Sequence, residues 1–98
     1  MSRIYRYELA ITDYQELALP VGSEVLSVAV SRTSPATRID LWAKVTDRDE
    51  LHSYPVLIVG TGNPMGYELG DSSQFVGTVV TPVVGLVVGL VWHVFVDN

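Results

Sequence analysis

Residues 79–96 read VVTPVVGLVVGLVWHVFV, 18 positions without a single Lys, Arg, Asp or Glu. The fold turns on whether this run is a membrane helix or a set of buried strands. Its length sits at the lower limit for crossing a bilayer, and Gly85 and Gly89 have the GxxxG spacing of packed membrane helices. Four features argue for strands. Pro82 would interrupt the helix. Valine dominates, and its branched Cβ favours extended backbone. His93 would lie in hydrocarbon, where an imidazole is costly. Neither flank carries the Lys or Arg that orients a span. The run is therefore expected to be extended, with no membrane span, and with Gly85 or Gly89 marking a turn, a bulge or a close backbone approach. A strand buried on both faces reads as continuous apolar sequence. A chain of 98 residues can cover few such strands by itself. Val83, Val84, Leu86, Val87 and Val88 are therefore expected to be covered by another copy of the chain, in a homo-oligomer.

Outward from this tail, the remaining sequence also alternates with period two. In Ile4 to Ile11, Tyr5, Tyr7, Leu9 and Ile11 share one face, with Arg6 and Glu8 on the other. Glu16 to Leu19 is a short run stopped by Pro20, with one helical turn over Tyr14 to Leu17 as the alternative. Pro20 to Ser23 reads as a turn. Val25 to Val30 is a strand with Leu26, Val28 and Val30 on one face. Arg38 to Thr46 sets Ile39, Leu41, Ala43 and Val45 against Arg38, Asp40, Trp42 and Lys44. The polar loop Arg32 to Thr37 between these two runs predicts an antiparallel hairpin. Leu51 to Val59 is a further strand, and Pro55 belongs at its start or on an edge because it lacks an amide hydrogen. Met65 to Ser73 is expected to be loop. Gln74 to Thr81 and Val83 to Val96 complete the extended structure. The sum is a single all-β domain over residues 1–98, an antiparallel sandwich or barrel-like roll of about seven short strands.

Composition excludes several functions. Six basic and eleven acidic residues give a net charge of −5. Such a surface repels phosphate backbones and anionic lipid, so general nucleic-acid binding is not expected. Cysteine is absent, which removes disulfides and thiolate metal sites and fits a reducing cytoplasm. The N-terminal segment MSRIYRYELAI lacks the apolar stretch of a signal peptide.

Few residues carry candidate chemistry. Gly60-Thr61-Gly62-Asn63-Pro64 follows a strand, as phosphate-cradling loops do, and its amides could form an anion nest. No GK[ST] follows, so a tight turn requiring positive φ is the preferred reading. His52 and His93 are the two imidazoles. Catalysis or metal binding would require partners for them that the sequence does not place nearby. Asp47, Asp49 and Glu50 lack the pattern of a calcium loop. No metal, cofactor or catalytic residue is therefore expected. Arginine suits bidentate anion recognition, and a tryptophan can stack on a ligand ring. The candidate ligand residues are thus Gly60, Thr61, Gly62, Asn63, Arg6, Arg38 and Trp42.

Short pieces in order along the whole chain carry a resemblance. They are Ile4-Tyr5-Arg6-Tyr7-Glu8-Leu9, Leu19-Pro20-Val21-Gly22-Ser23, Leu26-Ser27-Val28, Leu41-Trp42-Ala43, Gly60-Thr61-Gly62-Asn63-Pro64, Gly77-Thr78-Val79 and Val91-Trp92-His93-Val94-Phe95. Together they resemble a family of short phage and prophage proteins known only as a domain of unknown function. The chain departs from that pattern in having Asn63 where His would precede the proline. The resemblance implies a non-enzymatic phage accessory protein acting in the host bacterial cytoplasm, and it brings no catalytic residues. The expected action is sequestration of a host or defence component, either a host protein or a small anionic nucleotide signal. The alternative is a self-associating structural or assembly protein of the phage particle.

Overall fold

A computed structural model of the chain describes residues 1–65, 73–83 and 89–97. Seven strands run in chain order: β1 Arg3–Ala10, β2 Tyr14–Pro20, β3 Glu24–Val30, β4 Arg38–Val45, β5 Leu51–Gly60, β6 Ser73–Val80 and β7 Val91–Asp97. They form two antiparallel sheets, ordered β1-β4-β3 and β2-β5-β7-β6. Of the apolar tail, Val79 and Val80 end β6 and Val91 to Val96 lie in β7, while Thr81, Pro82, Val83, Gly89 and Leu90 are outside strands. Among the described residues no helix is long and apolar enough to cross a membrane.

The alternation in β4 builds the first layer. Ile39, Leu41, Ala43 and Val45 are buried in the core. Their cross-strand partners Leu9, Tyr7, Tyr5 and Arg3 share that face, because directly opposed residues in an antiparallel pair point the same way. The β3–β4 hairpin forms as the pattern predicts, but its phase differs from the expectation. Register slips between Val25 and Ser27, so Leu26 is the extra residue of a bulge. Val25 enters the core opposite Ala43, Val28 lies opposite Leu41, and Leu26 is turned outward.

The second layer contributes Leu19, Tyr54, Val56, Ile58, Val79, Val94 and Val96 to the same core. Tyr14 to Leu17 is strand rather than a helical turn, because the whole of β2 pairs with β5 from Tyr14↔Leu57 to Pro20↔Leu51. Pro55 is accommodated because the ladder to β7 begins only at Val56↔Val96. The Pro20–Ser23 turn closes through Ser23 N donating to Pro20 O at 3.1 Å.

The two layers meet where β3 runs beside β6. A Cβ built on Gly77 would lie 3.0 Å from Val28 Cγ2, so the strands touch there with no room for a side chain between them. The opposite edges, β1 and β2, are consecutive in the chain, and Gln15 Nε2 donates to Ala10 O at 2.7 Å across that corner. The architecture is a sandwich rolled at one corner, and among the described residues β1 and β2 are edge strands, each paired on one side.

Candidate interaction surfaces

The two outer faces of the sandwich differ sharply. On the three-stranded sheet the outward positions are Ile4, Arg6, Glu8 and Ala10 on β1, Arg38, Asp40, Trp42 and Lys44 on β4, and Glu24, Ser27 and Ala29 on β3. This face is ionic. Arg6 Nη1 donates to Asp40 Oδ1 at 2.9 Å and lies 3.7 Å from Glu8 Oε2. Arg38 Nε stands 3.7 Å from Glu8 Oε1. Ser31 Oγ donates to Glu8 Oε2 at 2.8 Å, and Thr33 Oγ1 donates to the same oxygen. These hydroxyl hydrogen bonds, Thr33 foremost, hold the Glu8 carboxyl below its ordinary value, with Arg38 and Arg6 adding to the effect. Asp40 is wholly buried despite facing outward. Arg6 binds it on one side, and the Arg32 amide donates to its Oδ2 at 3.3 Å.

The outer face of the four-stranded sheet carries an apolar patch, bordered on the same face by Glu16, Ser53, Thr78, His93 and Asp97. One row crosses all four strands as Tyr14–Leu57–Phe95–Phe75. The Phe75 and Phe95 rings are 5.4 Å apart. Leu57 is buried at 3% exposure yet stands outside the core cluster, because it faces away from it. Phe75 remains 55% exposed and Val80 62%. The flanking positions Pro55, Val59 and Val91 extend the apolar character. A two-layer antiparallel fold ordinarily presents polar residues on its outer faces. The signal for this second apolar face was present in the run Val56-Leu57-Ile58-Val59, which is apolar at both parities. Of the expected self-association residues, Val83 is exposed; Val84, Leu86, Val87 and Val88 lie outside the described residues.

At one end of this sheet the segment Gly60–Asn63 forms a β-turn. Asn63 N donates to Gly60 O at 3.0 Å, and Gly62 has φ +84°, the sign that position i+2 of a type II turn demands. The Thr61 amide donates to Val91 O at 3.1 Å. Two of the loop's amides are thus committed to protein carbonyls, which leaves too few for an anion nest. His93 is held beside the turn. Its Nε2 pairs with Thr61 Oγ1 at 2.8 Å and its Nδ1 with Thr78 Oγ1 at 3.0 Å, so both ring nitrogens are occupied by hydroxyls. Two open clefts flank the turn, each of about 320 Å³. One is lined by Asp13, Leu57, Val59 and Pro64, and the other by Thr61, Leu90, Val91 and Trp92.

The structure therefore divides the candidate ligand residues. Arg6, Arg38 and Trp42 share the ionic face of the three-stranded sheet, with Trp42 directly opposite Arg6. Gly60, Thr61, Gly62 and Asn63 belong to the other sheet. His52 packs edge-on against Tyr54 at 4.8 Å. Among the described residues no cluster of three or more His, Cys, Asp or Glu could hold a metal ion.

The sequence matches, over residues 1–98, a family described as a domain of unknown function, DUF7352. No curated protein and no solved structure matches it.

Proposed function

The chain belongs to the DUF7352 family along its whole length, a membership that carries no assigned activity, and from its surfaces we propose a non-enzymatic binding protein that sequesters a protein partner. The observation that carries this reading is the apolar patch on the outer face of the four-stranded sheet, where Phe75, more than half exposed, packs on Phe95 and Val80, also more than half exposed, lies further along the same strand opposite Val91. Aromatic side chains on a flat, rigid face supply interaction energy at low entropic cost, and they dominate the centres of protein interfaces. The setting remains that implied by the phage and prophage resemblance: an accessory protein made in the host bacterial cytoplasm, acting on a host or defence protein.

An anionic nucleotide is the weaker ligand. Arg6 and Arg38 are already turned to Asp40 and Glu8, and the Thr61 and Asn63 amides are used within the chain. Catalysis draws no support from His93, whose nitrogens are both held by threonines. The alternative of a self-associating particle component draws on the exposed edge of β1.

The test is affinity capture from host lysate with the wild-type chain and with Phe75→Asp. Capture of one defined protein that Phe75→Asp abolishes, with the β-sheet circular dichroism retained, is the expected result. Equal capture by both proteins removes the apolar face as the binding site. Recovery of the chain in purified particles instead favours the structural role.

A further inference from the structure

The β1 edge carries an inference independent of the apolar face. Among the described residues β1 pairs only with β4, and no strand among them pairs with the other side of Arg3–Leu9, while the Ala10 carbonyl accepts from Gln15. Natural edge strands are usually shielded by proline, a bulge, lysine or a covering loop. β1 contains neither proline nor lysine, its charges are limited to Arg3, Arg6 and Glu8, and its register with β4 is regular from Arg3↔Val45 to Ala10↔Arg38. Ile4 is 63% exposed and Tyr5 47%, although Tyr5 lies on the core-facing side.

We infer that β1 pairs antiparallel with β1 of a second copy of this chain, about a two-fold axis through Tyr7. The register follows from the residues. A two-fold axis normal to the sheet keeps core faces together only if opposed residues have the same parity. Centred on Tyr7, the outward face sets Arg6, which keeps its bond to Asp40, opposite the partner's Glu8, and Glu8, which keeps Ser31 and Thr33, opposite the partner's Arg6, so that opposed charge rather than a new ion pair favours this register. The core-facing side places Tyr5 against the partner's Leu9, Leu9 against the partner's Tyr5, and the two Tyr7 rings side by side. Ile4 meets the partner's Ala10. Every pair is therefore opposite in charge or apolar. A centre on Arg6 opposes two arginines and sets Ile4 against the partner's Glu8. A centre on Glu8 opposes two carboxylates. Charge complementarity thus selects one register and one occupant. The pairing fuses two three-stranded sheets into one of six strands and covers Tyr5 and Tyr7. It ends at Ala10, whose carbonyl is already taken by Gln15.

The absence of cysteine gives a clean test. In the full chain carrying Tyr7→Cys, the two thiols face each other at the axis, within range of a disulfide. The expected results are a dimer by sedimentation at about 100 µM, where even a weak edge dimer is populated, and covalent dimer on mild oxidation of Tyr7→Cys but not of Phe75→Cys. Tyr5→Lys, at a half-exposed position that leaves the core intact, sets an ammonium against the partner's Leu9 twice per dimer. Its dissociation constant should rise by about 30-fold, with unchanged circular dichroism. A monomer at that concentration, a dimer cross-linked through Phe75→Cys alone, or a Tyr5→Lys chain that dimerises as tightly as wild type would each overturn the inference.

Discussion

The Arg6 guanidinium closes over the Asp40 carboxylate at 2.9 Å, and Asp40 is wholly buried although it points away from the core. A buried carboxylate costs several kcal/mol to desolvate unless it is paired. Removing its cation leaves that cost uncompensated. Arg6 itself is about 29% exposed at its side chain, which moderates the effect. Arg6→Ala should destabilise the fold by about 3 kcal/mol, read as a lower denaturant midpoint at unchanged m-value. The double variant Arg6→Met with Asp40→Leu should recover more than half of that loss, because it removes both charges at once. If the double variant is no more stable than Arg6→Ala, the pair is not the source of the effect.

Acid should weaken the protein through Glu8. Hydrogen bonds from Thr33 and Ser31, with Arg38 and Arg6 nearby, lower its proton affinity in the folded state relative to the ordinary value of 4.5. A folded-state value below the unfolded one means that the unfolded chain binds the proton more readily. The stabilisation is therefore present above about pH 4.5 and is lost as pH falls through the lower folded value. Asp47, hydrogen-bonded by the N-terminal ammonium, acts with the same sign. Tyr7 acts at the other extreme. Burial, with Tyr5 adjacent, raises its value above 10, so its contribution is lost as pH rises past that point. Melting temperature measured across the acid range should fall less steeply in Thr33→Val than in wild type, since Thr33 supplies the largest effect on Glu8. An identical slope in both proteins would assign the acid sensitivity to other groups.

Much of this architecture was legible in the alternation. Ile39, Leu41, Ala43 and Val45 could be read as a core row because period two survives intact in β4, and the hairpin to β3 followed from it. The phase of β3 was not legible. Val25 and Leu26 are both apolar, and only the bulge decides which of them enters the core. The alternation placed Asp40 on the face opposite the core row, but not its burial, which comes from Arg6 on another strand and from the loop at Arg32, contacts that no local pattern encodes. Among the candidate ligand residues, the turn geometry of Gly60–Asn63 could be read from its glycines. That the Thr61 amide would be spent on Val91 depends on the β5–β7 pairing, which the sequence does not register.

Gly89 is predicted to be intolerant of any side chain. A Cβ built there would lie 2.4 Å from the Thr81 carbonyl oxygen, a backbone atom that cannot swing aside. The approach is fixed by Thr81 and Leu90, which clasp the β6–β7 connection. Thr81 N donates to Leu90 O at 2.8 Å, and Leu90 N donates to Thr81 Oγ1 at 2.8 Å. Gly89→Ala must open this clasp, exposing Thr81 and releasing hydrogen bonds of about 1 kcal/mol each together with backbone strain. A loss of about 3 kcal/mol is expected in chemical denaturation, with amides near Thr81 and Leu90 exchanging faster than those of β4. A wild-type midpoint for Gly89→Ala would show that the connection can move away from Thr81 at little cost.

A stabilising change is expected at Ser73. Its Oγ is buried with no hydrogen-bond partner among the described residues, at the first position of β6 opposite Asp97. A buried polar atom left unpaired costs about 1–3 kcal/mol, whereas an apolar group of similar shape costs nothing there. Ser73→Ala deletes the orphan oxygen and keeps the Cβ. The small loss of strand preference on going to alanine is a fraction of that gain. The net expectation is about 1 kcal/mol of added stability, or a melting temperature higher by about 4–8 °C for a domain of this size. Trp92 Nε1 is also buried without a partner, but Trp92→Phe sacrifices indole packing against the core along with the donor, so its sign is set by two opposing effects. Ser73→Ala isolates the single one, and a lower melting temperature for it would mean that the hydroxyl is hydrogen-bonded in solution.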